Sequence, residues 1–122
     1  MKRNAFLLVA VCLFAVTIAH VAAAQLLTQA VAGVWTANIH AGDKTTTEQW
    51  MIKQDGSKLS GTVKNDKGEL PLTGTIEGAV FRGVVTEGKA EHIIHIYVDG
   101  DQGDGTIQVG KDVLLVTLQR TK

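Results

Sequence analysis

The chain has 122 residues, the length of a single domain, and its 12 basic residues balance its 12 acidic ones. It shows neither the basic surplus typical of nucleic-acid binders nor a polybasic run that would attract it to an anionic membrane surface. We therefore expect no nucleic-acid partner, and the chain is too short for a large two-lobed enzyme.

Residues 1–24 have the pattern of a secretory signal peptide. A basic n-region precedes an apolar stretch over residues 5–19, and Ala22 and Ala24 then provide an A-x-A cleavage pattern. We expect cleavage before Gln25 and a secreted or periplasmic location. The alternative is an uncleaved N-terminal anchor. No second apolar stretch follows, so we expect no integral membrane segment after cleavage.

The predicted mature domain, residues 25–122, is slightly acidic and has no thiol. It keeps all 12 acidic residues and loses two of the 12 basic ones, Lys2 and Arg3. Cys12 is the only cysteine and lies in the predicted signal peptide, so the domain has no disulfide, thiolate metal site or cysteine nucleophile. Packing and hydrogen bonding must stabilise it, which favours a closed or well-paired sheet.

Seven turn clusters rich in glycine, aspartate and asparagine divide this domain into short strands. The predicted strands cover about residues 33–40, 45–54, 59–64, 70–76, 79–86, 91–98, 105–109 and 113–120. The short connections predict an all-β fold, an eight-stranded antiparallel up-and-down meander, and closure into a small β-barrel would remove its edges. Residues 25–32 are expected to form a short helical turn or a frayed lead-in.

Four predicted strands carry a glycine on their apolar face: Gly61, Gly74, Gly83 and Gly105. Such glycines either let a barrel bend around large neighbours or leave an internal cavity for a ligand. We predict that an apolar ligand in the barrel would contact Trp35, Trp50, Gly61, Gly74, Phe81, Gly83 and His92.

Gly33-Val34-Trp35, which opens the first predicted strand, and Arg120 near the end of the last one resemble the calycin pattern of lipocalins and avidins. Residues 56–62 and 72–75 also resemble avidin-type glycine–threonine hairpins, and the chain resembles small secreted bacterial barrel proteins of unassigned function. The resemblance implies that Trp35 packs across one barrel end under Arg120, with a plausible cation–π contact. Biotin binding is not implied, because most aromatic residues of the avidin site are missing.

Two motifs resemble metal sites but have simpler interpretations. His92 and His95 are three residues apart, so on a strand they face opposite sides and do not readily chelate one ion. We expect His92 at the inner rim and His95 and Tyr97 outside, although Ile93 leaves the reverse assignment open. Residues 99–104 are rich in aspartate but lack the EF-hand order of ligands, which favours a solvated turn.

Nothing in the sequence indicates catalysis. Ser57 and Ser60 are the only serines, and no Gly-x-Ser-x-Gly motif occurs. We therefore predict a protein with no catalytic residues, metal ligands or cofactor.

Two functions remain open. The first is a secreted, non-enzymatic, lipocalin-like module that holds a small apolar ligand in the barrel. The second is a filled barrel that acts as a protein-interaction or structural module, with Met51, Val84 and the exposed side of residues 114–116 as a partner or oligomer surface. A cavity of about 300 Å³ or more would favour the first function, and a solid core would favour the second.

Overall fold

The computed structural model describes residues 28–121, so the predicted signal peptide and its cleavage site lie outside the described residues. Within this range the chain is all-β, and no helix is long and apolar enough to cross a membrane. The strands are β1 (Gly33–Ala41), β2 (Lys44–Asp55), β3 (Lys58–Asn65), β4 (Gly68–Glu77), β5 (Val80–Glu87), β6 (Ala90–Asp99), β7 (Gln102–Val109) and β8 (Asp112–Thr121).

Each strand pairs antiparallel with the next one in sequence, and β8 pairs with β1, so the sheet closes into a barrel. This confirms the predicted eight-stranded meander. The largest boundary difference is at β7, which begins three residues before the predicted start because Asp99 already pairs with Gln102. The aspartate-rich segment is therefore mostly strand, and only Gly100 and Asp101 form the turn.

Two-residue turns join all the strands, and glycine is the first residue in six of the seven turns. Gly100 is typical of these six, with a φ of 62° that residues with a Cβ atom rarely adopt. Positive φ at the first central position is the geometry of a type II′ turn, which matches the right-handed twist of paired strands. The sequence pattern of the turns thus selects hairpins between successive strands.

The barrel interior is filled through its middle. Every strand alternates inward and outward side chains, and the inward aromatic residues Trp50 and Phe81 have 0% exposure. Their rings meet edge to face, with centroids 6.5 Å apart and an interplanar angle of 76°. Leu72, Ile76 and Ile96 are also fully buried. The centre of the barrel is therefore a packed core.

The inward glycines mark places where neighbouring strands approach closely. A Cβ atom at Gly61 would collide with the carbonyl oxygen of Met51, and one at Gly105 would collide with that of His95. A Cβ atom at Gly83 would lie 2.7 Å from the Phe81 ring. These contacts favour the first explanation of the glycines, bending of the barrel around large neighbours, because strand backbone and Phe81 lie close to where a side chain would begin.

One end of the barrel, where β1 begins, is covered by residues 28–32, which we call the strap. Val31 is 1% exposed. Its backbone N–H donates to Gln54 Oε1 at 2.7 Å, and Gln54 Nε2 donates to the Gln29 carbonyl at 3.1 Å. The strap is neither helical nor frayed within the described residues, since these bonds and the burial of Val31 hold it against the barrel.

Trp35 and Arg120 complete this closed end. The Arg120 guanidinium lies 4.4 Å from the centroid of the Trp35 ring, and the indole Nε1 donates to the Val31 carbonyl at 2.9 Å. Arg120 also donates to the strap carbonyls of Ala30 and Ala32, and it forms an ion pair with Asp101 at 2.9 Å. This is the arrangement that the resemblance implies for Trp35 and Arg120.

Candidate functional site: a cup at the open end

The other end of the barrel, where β1 finishes, holds a cavity of about 380 Å³ that is open to solvent. We call this cavity the cup. Its apolar wall consists of Ile39, Leu70, Val85, Ile107, Val109 and Leu114. Its polar wall consists of Thr46, Glu48, Asn65, Asp66, Lys67, Glu87 and His92. The cup therefore combines apolar contact surface with a polar rim, as small-molecule sites commonly do.

Glu48 is held in the cup wall by two hydrogen bonds. It is two residues before the buried Trp50 on β2, so it faces inward, and it is half-buried. Its Oε1 accepts a hydrogen bond from Trp50 Nε1, and its Oε2 accepts one from Asn65 Nδ2, both at 3.1 Å. Asn65 Oδ1 accepts from the Lys67 backbone N–H at 2.9 Å, which orients the amide toward Glu48. The carboxylate is thus fixed in place by neutral donors.

Glu87 and His92 reach the cup from the neighbouring strands β5 and β6. His92 lies opposite Val85 in the register, and Glu87 is the next inward position after Val85 on β5. Both side chains are half-buried. Ile94, Ile96 and Val98 are buried, whereas Ile93, His95 and Tyr97 are exposed, which confirms that His92 faces inward and His95 outward.

The cup is acidic. Three of its lining residues carry carboxylates and one, Lys67, carries an ammonium group. Within residues 28–121 the Arg120–Asp101 pair at the closed end is the one ion pair closer than 4.0 Å, so no protein cation neutralises Glu48 at that distance. Among the same residues no three His, Cys, Asp or Glu side chains come together in a metal-binding arrangement.

Of the seven predicted ligand contacts, the structure brings only His92 to the cup. Trp50, Phe81 and the three glycines lie in the packed middle, and Trp35 lies at the closed end. Ligand binding itself stays a prediction. Sequence reasoning missed Glu48 and Glu87, although the alternation of side chains contained the signal: they are two residues from the inward positions Trp50 and Val85.

The outer wall carries exposed apolar side chains. Met51 is 43% exposed and Leu115 is 64% exposed, as expected for the predicted partner surface. Within residues 114–116 the exposed side is Leu115, because Leu114 lines the cup and Val116 belongs to the core, and Val84 is half-buried. Ile93, Tyr97 and Val113 are further exposed apolar side chains on this wall.

The closed eight-stranded barrel is compatible with a calycin-like fold. A scan against models of protein families finds no match to the chain. A search of curated proteins also finds no match. The cup and the outer wall are therefore the features that bear on the function.

Proposed function

We propose that this protein is a secreted or periplasmic, non-enzymatic binding module with a calycin-like barrel, and that it holds a small, partly apolar molecule in the cup. The observation that carries the proposal is the cup itself, whose volume of about 380 Å³ lies in the range of small-molecule sites. One end of the barrel is covered by the strap and Trp35, whereas the cup opens to solvent. A ligand would therefore enter from the open end.

The polar groups of the cup form no nucleophile–base pair within residues 28–121. A catalytic base is usually hydrogen-bonded to the nucleophile it activates and oriented by a third group. In the described part of the chain, neither the His92 ring nor the Glu87 carboxylate has a side-chain hydrogen bond, and Glu48 bonds only to Trp50 and Asn65. The cup wall also contains no serine or cysteine.

Uptake of the uncharged fluorescent probe N-phenyl-1-naphthylamine tests this proposal. Val109, half-buried in the cup wall, is changed to tryptophan to fill the cup, and Val113, which is 62% exposed on the outer wall, receives the same change as a matched control. We expect probe emission to rise on binding to the unchanged protein and to the V113W variant. The V109W variant should bind the probe at least about tenfold more weakly, because the indole occupies ligand volume.

The same experiment distinguishes the second candidate function, interaction through the outer wall. The exposed apolar side chains of that wall, Met51, Ile93, Tyr97, Val113 and Leu115, favour it. Probe binding that survives V109W but is lost in V113W would place the site on the outer wall. No probe binding to the unchanged protein would overturn the cup proposal.

A further inference from the structure

The cup holds a carboxylate whose hydrogen-bonding capacity is only half used. A carboxylate offers about four acceptor sites, and Glu48 uses one on each oxygen, for Trp50 Nε1 and Asn65 Nδ2. Because both donors are neutral, the negative charge remains. Glu48 thus presents a fixed, charged acceptor with about two free sites on a residue that lines the cup.

The Glu48 carboxylate has no ion-pair partner in the described residues. Glu48 is half-buried beside the fully buried Trp50, and no protein cation lies within 4.0 Å of it in the described residues. A carboxylate that is partly removed from water is stabilised by a cation with hydrogen-bond donors. The side chains of residues 28–121 do not supply such a cation within 4.0 Å, so a ligand cation would fill that role.

The other inward carboxylate of the cup also favours a positively charged ligand. Glu87 is a second inward carboxylate, and Asp66 adds a third at the rim. Asp66 and the one lysine of the cup, Lys67, are both exposed in the β3–β4 turn, where water and salt screen their opposite charges, so the inward carboxylates Glu48 and Glu87 dominate. The field inside the cup is therefore negative, which favours positively charged ligands.

We infer that the cup selects organic cations, namely a protonated amine on a small apolar body, with the ammonium group on Glu48. This inference rests on the proposed function. The apolar wall favours an organic cation over a metal ion, since it offers six aliphatic side chains and no grouping of three metal-ligating side chains occurs among residues 28–121. The ammonium would donate to the free acceptor sites of Glu48, and the apolar body would contact side chains such as Ile107.

Three probes of matched shape test the inference: benzylamine, benzyl alcohol and benzoate. Their dissociation constants are measured by NMR on the ¹⁵N-labelled protein at low salt. The indole N–H of Trp50 reports directly, because it donates to Glu48. The indole N–H of Trp35, which donates to Val31 at the closed end, is the internal reference and should not shift.

We expect benzylamine to bind about fivefold to tenfold more tightly than benzyl alcohol and to shift the Trp50 signal, because a charge-assisted hydrogen bond is stronger than a neutral one. In the Glu48→Gln variant, which keeps the shape of the side chain, this preference should fall below about twofold. The control is Glu69→Gln, an exposed residue opposite Lys64 on the outer face, which should keep the preference.

Other outcomes separate the two proposals. Equal binding of amine and alcohol, or tightest binding of benzoate, would overturn the cation inference and leave the cup as a binding site. No shift of any cup residue with any probe would overturn both. If Glu48→Gln does not fold, the salt dependence of binding to the unchanged protein tests the inference. The preference for the amine over the alcohol should fall at least about twofold between about 20 mM and 500 mM NaCl. A constant preference would overturn the inference.

Discussion

Replacing Trp35 with alanine should strongly destabilise the barrel. The side chain is 1% exposed, it covers the closed end, and its ring lies under the Arg120 guanidinium. Its indole N–H also satisfies the buried carbonyl of Val31 in the strap. Trp35→Ala therefore removes apolar burial, a cation–π contact and a hydrogen bond at one point.

The expected decrease in the free energy of unfolding follows from the area that the Trp35 side chain buries. A tryptophan in a core buries roughly 150–250 Å², which at about 25 cal/mol per Å² corresponds to about 4–6 kcal/mol. Truncations of buried aromatic residues typically cost about 3–5 kcal/mol. We therefore expect Trp35→Ala to lower the free energy of unfolding by about 4–5 kcal/mol, against a typical total of about 5–15 kcal/mol for a domain.

Urea denaturation followed by far-ultraviolet circular dichroism measures this loss without relying on the fluorescence of the mutated residue. Trp35→Phe keeps an aromatic ring but leaves the Val31 carbonyl without its donor, so it should cost about 1–3 kcal/mol. Lys89→Ala, at an exposed position in the β5–β6 turn, should stay within about 0.5 kcal/mol. Equal midpoints for Trp35→Ala and Lys89→Ala would refute the role of Trp35 in closing the barrel.

Three further predictions concern the inner wall, the closed end and export. Gly61→Ala should lower the free energy of unfolding by about 1–3 kcal/mol or more in urea melts, because the added Cβ meets the neighbouring strand, whereas Ser60→Ala on the exposed face should leave it nearly unchanged. Arg120→Ala should lower the thermal midpoint clearly more than Asp101→Ala. The aspartate is 74% exposed, and such ion pairs contribute only about 0–1 kcal/mol to stability. Equal shifts of the midpoint would contradict the anchoring of the strap by Arg120. N-terminal sequencing of the exported protein should begin at Gln25, and Met1 retained in a membrane fraction would contradict cleavage.

Much of the fold was predictable because it depends on local rules. Alternation in β6 puts His92 on the same face as Ile94 and Ile96, and the burial of these two isoleucines shows that this face is the inner one. Glycine-led turns need few residues, so successive strands must pair antiparallel. The start of β7 was predicted three residues late, because Gly103 and Asp104 look like part of a turn in sequence but pair with Val98 and Tyr97 at the end of β6.

The candidate site was predictable only in part. Alternation places Glu48 and Glu87 inward, but a charged residue in an apolar pattern does not reveal whether it meets a core, a partner or an opening. For the glycines, the sequence suggests free volume that the structure does not contain. Gly61 and Gly74 suggest missing volume in sequence, yet in the structure the carbonyl oxygens of Met51 and Arg82 occupy the positions where their Cβ atoms would lie.

The sequence by itself determined the number of strands, their order and which side chains share a face, because turn chemistry and the two-residue period of a strand act over a few neighbouring residues. Only the tertiary structure decided where the barrel is solid and where it is open. That outcome depends on residues far apart in the chain: the strap and Arg120 cover one end, and Trp50 and Phe81 fill the middle. At the other end the inward positions include the polar residues Glu48, Glu87 and His92. Polar side chains hydrate at a solvent-exposed rim instead of packing together, and a cup therefore remains there.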